Sequence, residues 1–140
     1  MLRNFLAGLV LIFMILVSVA FGADVKQMKD ALTAAENWLA IIDKGEYVES
    51  WKEAAEYFKK AVSQDQWVNL LQAFRKPLGK LNSRTVKSET YETSLPGAPD
   101  GEYMVIQFTT SYENKKSAIE TVTPMKDKRG SWRVSGYFIK

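Results

Sequence analysis

Carboxylates and guanidiniums are the groups in this sequence whose types and spacing could do chemistry. The chain contains no histidine and no cysteine, which excludes Ser-His-Asp and Cys-His nucleophiles, thiol redox centres, and zinc sites built on imidazole or thiolate. Acid/base work by a buried acid survives that exclusion. Glu120 is the best candidate, because strand alternation places it on the same side as Val122. The same parity sets Arg84 beside Val86, so both charges are expected to point inward from one sheet. A carboxylate next to a guanidinium is usually held ionised and makes a poor base near neutral pH, so a structural ion pair is the favoured reading. Arg75, two residues before Pro77, could orient an anionic ligand at a helix end, though capping of the terminal carbonyls is the simpler role. Arg75, Arg84 and Glu120 are thus the candidate ligand-binding residues. No catalytic residue, metal ligand or cofactor is assigned.

Other motifs carry less. The isolated Asp100-Gly101 does not approach a calcium loop. The loop from Leu95 to Gly101 lacks the glycine spacing and the following helix of a phosphate cradle, and reads as a turn between strands. Trp38, Trp51, Trp67 and Trp132 would suit a carbohydrate platform, but each sits on an apolar stripe of helix or strand period, which favours the core. Lys115-Lys116 and the segment Lys126 to Arg129 fall in turns, where basic residues are ordinarily solvated.

The elements that must position these groups are legible from periodicity. Val25, Met28, Leu32, Ala35, Leu39 and Ile42 recur by threes and fours, which predicts a helix of about five turns closed by Gly45. A second helix carries Tyr47, Trp51, Ala54, Phe58 and Ala61 or Val62 on one face. Ser63 and Gln66 form a capping box opening a third helix with Trp67, Leu70, Leu71 and Phe74, stopped by Pro77 and Gly79. Beyond Leu81 the period changes to two. Strands are expected over 84–93, 103–112, 118–125 and 132–139, with Met104, Ile106 and Phe108 facing the core and Trp132, Val134 and Phe138 sharing the inner face of the last. Short turns between them imply an antiparallel meander. The expected class is α+β: three N-terminal helices packed on a curved, four-stranded antiparallel sheet, cone-like in shape.

Compartment follows from the uncharged run from Phe5 to Phe21, led by Arg3 and followed by small residues. At about 17 residues it is short for a membrane span and matches a secretory signal. Residues 1–23 are therefore read as a signal peptide, cut after Ala20, after Gly22, or after Ala23, which would put bulky Phe21 at the inner small position, and residues 24–140 as one domain; an uncleaved anchor is the alternative. The expected location is periplasmic or secreted. Without cysteine the domain has neither disulfides nor a lipid attachment point, and it must stand on packing. The net charge of +3 is too small and too dispersed to argue for nucleic acid or, after cleavage, for a membrane.

The segments Trp38 to Tyr47, Ser50-Trp51, Arg75 to Gly79, Leu95 to Tyr103 and Trp132 to Tyr137 together resemble the exported bacterial proteins grouped as domain of unknown function family 4019. The resemblance covers almost all of the chain after residue 23. The order of helices, glycine turn and curved sheet also looks like the nuclear transport factor 2-like, cystatin-like superfamily, whose cone serves as enzyme scaffold or as binding and dimerisation module. A cystatin-type protease inhibitor is disfavoured, since three helices precede the sheet and no Gln-x-Val-x-Gly hairpin is present. The reading is an exported envelope protein acting as a non-enzymatic binding or interaction module for a protein or small molecule, with a homodimer possible in this superfamily. The alternative is a small enzyme using Glu120 in the cone for acid/base chemistry.

Overall fold

A computed structural model describes residues 24–140; the expected signal segment, residues 1–23, lies outside the described residues. Helix α1 (Val25–Asp43) starts where the Asp24 carboxylate accepts from the Gln27 amide at 2.7 Å. It ends in a Schellman closure, with the Gly45 amide donating to Ile42 and the Glu46 amide to Ile41. Gly45 has φ +78°, which glycine adopts without the Cβ penalty of other residues. Ala31, Ala35, Trp38, Leu39 and Ile42 form its buried stripe, which lies across all four strands.

The expected second helix is two helices, α2 (Tyr47–Glu53) and α3 (Glu56–Ala61). Helical periodicity runs through the break, and alanine favours helix, yet Ala54 and Ala55 are both extended. A tertiary contact overrides propensity there: the Ala55 amide donates to the Val134 carbonyl on the sheet edge at 2.8 Å. Both alanines are buried, so no larger side chain is needed to fill the junction. Helix α4 (Gln64–Phe74) opens with the expected capping box, Ser63 and Gln66 bonding reciprocally. Its buried positions are Trp67 and Leu71, whereas Leu70 and Phe74 are exposed. The apolar stripe is therefore narrower than its sequence suggests. A 3-10 turn, Lys76–Leu78, follows.

Strands β1 (Leu81–Glu92), β2 (Tyr103–Tyr112), β3 (Lys115–Lys126) and β4 (Trp132–Ile139) make an antiparallel sheet in sequential order. The domain is α+β, with four helices on one sheet. Met104, Ile106 and Phe108 are buried as expected. Phe138 is not: it is 62% exposed. The β3–β4 register slips between Thr123 and Pro124, pairing Thr123 with Gly136 and Pro124 with Val134, so Ser135 is an extra residue. A bulge of this kind inverts side-chain parity beyond it, carrying Tyr137 to the inner face and Phe138 to the outer.

One apolar cluster joins helices to sheet, including Trp38, Leu39, Phe58, Trp67, Ile106, Val122 and Val134. Trp38, Trp67, Phe58 and Tyr137 meet as aromatic pairs with centroids 4.9 to 6.4 Å apart. The two indole N–H groups converge on buried Ser50, whose carbonyl accepts from Trp38 Nε1 at 2.8 Å and whose hydroxyl accepts from Trp67 Nε1 at 2.9 Å. Each buried indole N–H is thereby satisfied. Trp51 and Trp132 pack at the border of the same cluster.

Candidate functional site

The three charged residues singled out by the sequence meet in one network. Arg84 leaves the inner face of β1, and its Nε donates to Glu120 Oε1 at 2.6 Å. Glu120, on β3, is 0% exposed. The same Oε1 accepts from Thr110 Oγ1 at 2.7 Å, and Oε2 accepts from the Tyr137 hydroxyl. Strand register explains the convergence, since Thr110 on β2 pairs with Arg84 on one side while its neighbour Phe108 pairs with Glu120 on the other.

Asp43, the last residue of α1, links this pair to Arg75. Its carboxylate takes Arg84 Nη1 at 2.7 Å and Nη2 at 3.0 Å in a bidentate pair, and Arg75 Nη2 at 3.2 Å. Arg75 is 3% exposed; its Nη1 donates to the Gly79 carbonyl at 2.7 Å and its guanidinium carbon lies 4.4 Å from the centre of the Tyr112 ring. It therefore caps a carbonyl beyond the 3-10 turn, where sequence reasoning pointed to the end of the preceding helix. Asp43 and Tyr137 were missed. Asp43 carried a usable signal, because a carboxylate at the C-terminus of α1 opposes the helix dipole and asks for a cation. Tyr137 carried none without the bulge.

Two opposed effects act on Arg84. Burial disfavours its charge, but hydrogen bonds to Asp43 and Glu120, and their negative charges, outweigh burial and raise its pKa above the ordinary guanidinium value. Burial, followed by the charge of Glu120, raises the Tyr137 hydroxyl well above the usual tyrosine value. The same two causes push Tyr112 up to about 12. Both phenols stay neutral at physiological pH, and Tyr137 serves Glu120 as a donor. Among the described residues, three buried side-chain polar atoms make no hydrogen bond: Arg75 Nε, Glu89 Oε1 and the Tyr112 hydroxyl.

Chemically, the network is an alternation of two carboxylates and two guanidiniums with its lone pairs largely taken. Glu120 has a partner on each oxygen and is fully buried. Clefts open at the border of this packing. One, of about 400 Å³, is bounded by Ile42, Asp43, Lys44, Tyr47, Arg75 and Lys80 among others. Another, of about 260 Å³, lies between α1 and the start of β4 near Trp132 and Arg133. Among the described residues no three acidic side chains converge to hold a metal ion, and no helix is long and apolar enough to cross a membrane.

Residues 34–137 match the model of a family described as protein of unknown function, DUF4019. The matched span includes every member of the network. No curated protein and no solved structure matches the chain.

Proposed function

The chain belongs to the DUF4019 family, and from that premise we propose that it is an exported bacterial envelope protein of nuclear transport factor 2-like fold that works as a non-enzymatic binding module. The apolar run from Phe5 to Phe21 supports export. A meander of four antiparallel strands behind N-terminal helices supports the fold.

One observation carries the preference for a module over an enzyme. The face of the sheet that would hold a substrate is filled by Trp38, Trp67, Phe58 and Tyr137, and the acid available there, Glu120, is bonded on both oxygens. A general base needs a free lone pair within reach of the proton it takes, and a substrate needs a hollow beside it. Binding is then expected at the outer clefts.

Fractionation and a variant test this together. The protein is expected in the fluid released by osmotic shock, with an intact mass lacking the first 20 to 23 residues. A full-length mass in the membrane fraction would favour an anchor. Glu120→Gln keeps the shape of the side chain and removes its ionisation. If a ligand found for the native protein is bound equally by this variant once its folding is verified, the module reading stands. Conversion of that ligand by the native protein and not by Glu120→Gln would overturn it.

A further inference from the structure

The 400 Å³ cleft gathers cations that the Arg84–Glu120 network leaves unused. Its lining includes Lys44, just past α1, Lys76 in the 3-10 turn, and Lys80 at the entrance to β1, with Arg75 beneath them. None of the three lysines has a carboxylate partner among the described residues. Two acids share the lining. Asp43 is engaged by Arg75 and Arg84, which leaves Glu113. One Glu113 oxygen is turned to the Lys80 amide at 3.3 Å.

Helices α1 and α4 both end at this cleft, and bare carbonyl ends would repel an anion. Four of those carbonyls are occupied here. The amides of Lys44, Gly45 and Glu46 take carbonyls of α1, and the Arg75 amide takes that of Leu71 in α4. The unpaired charges in the lining are those of the three lysines against one carboxylate, Glu113. Arg75 adds a buried guanidinium, paired to Asp43, whose Nε has no hydrogen-bond acceptor. The volume lies within the range of small-ligand sites, and Ile42 and the Tyr47 ring give it an apolar wall.

We propose that this cleft binds a phosphate group carrying two or more negative charges, on a small molecule or on a lipid headgroup. Three flexible ammonium groups around an open cleft suit a compact polyanion, because lysine recognises phosphate as a point charge and needs no planar geometry. The inference names the ligand of the module proposed above and rests on that reading.

Inorganic pyrophosphate, titrated into the purified protein by calorimetry, is the first probe. Citrate is the carboxylate control. Phosphatidylcholine vesicles containing about one tenth phosphatidic acid, followed by sedimentation, probe the lipid source. Pyrophosphate is expected to bind about tenfold or more tightly than citrate. The triple variant Lys44→Gln, Lys76→Gln, Lys80→Gln is expected to weaken binding by about 30-fold or more, and the matching arginine triple by no more than about threefold, on the scale of 1.4 kcal/mol per decade. These lysines are exposed, so both triples should fold. Vesicle binding lost in the glutamine triple, with no affinity for free pyrophosphate, would support the proposal and assign the headgroup. Absence of binding to pyrophosphate and vesicles alike, binding unchanged in the glutamine triple, or equal affinity for citrate would each overturn it. None of those outcomes touches the module reading, which falls only if the protein turns a ligand over.

Discussion

Arg84 and Glu120 are bonded side chain to side chain at 2.6 Å although their strands are not neighbours: β2 runs between them, and Thr110 supplies the intervening hydroxyl. Both residues reach across that strand over the inner face, where water is nearly excluded. Removing one partner therefore strands a charge in a site that cannot hydrate it. Arg84→Ala or Glu120→Ala is expected to destabilise by about 3 to 5 kcal/mol, while replacing both with apolar residues of similar volume should cost much less. Denaturant unfolding of the four proteins measures the difference. Arg84 also holds Asp43, so the Arg84 single should be the costlier of the two.

Gly79 and Gly45 both have positive φ, at +77° and +78°, but they differ in surroundings. A Cβ on Gly45 would meet nothing within 4 Å, whereas on Gly79 it would sit 3.0 Å from Glu113 Oε2 and 3.1 Å from Asn114 Nδ2. The ψ of −155° at Gly79 also lies in a region that is essentially glycine's alone. Gly45→Ala is expected to cost about 1 kcal/mol, as for a residue forced into the left-handed region. Gly79→Ala should cost about 2 kcal/mol or more, and thermal unfolding of the two variants side by side tests the ordering.

Much of this arrangement is legible in the sequence, and what is not has a common cause. Helix α1 and the capping box of α4 follow from spacing and side-chain chemistry within a few residues. The inward parity of Arg84 and Glu120 could be read because no bulge separates either from its nearest apolar reference, Val86 or Val122. The split of the second helix and the inversion in β4 arise from contacts between distant segments, Ala55 with Val134 and Thr123 with Gly136. Local periodicity carries no record of them. That is why uninterrupted parity puts Phe138 on the inner face, where the structure has Tyr137 completing the Glu120 site.

The inversion itself is testable. Phe138→Ser removes a large apolar side chain from an exposed position and should change stability by no more than about 0.5 kcal/mol. Tyr137→Ser empties part of the aromatic cluster and takes a donor from Glu120, so a loss of about 3 kcal/mol or more is expected. The uninterrupted parity read from sequence predicts the reverse order. Chemical denaturation of the two variants discriminates.

Tyr137 and Tyr112 also give stability an alkaline limit. Their folded pKa values are raised, chiefly by burial and then by Glu120, while in the unfolded chain they return to the ordinary tyrosine value of about 10. Above pH 10 the unfolded state releases these protons and the native state retains them. Unfolding is thus favoured by rising pH: the stabilisation is whole below pH 10 and declines through the interval up to the folded pKa, which for Tyr112 is about 12. Lysines titrate in the same interval, so the informative quantity is a difference between variants. Tyr137→Phe should flatten the decline of unfolding free energy between pH 10 and 11 by up to about 1.4 kcal/mol per pH unit. An unchanged slope in Tyr137→Phe would mean that Tyr137 ionises as readily in the folded protein as in water, and that its hydroxyl is not buried against Glu120.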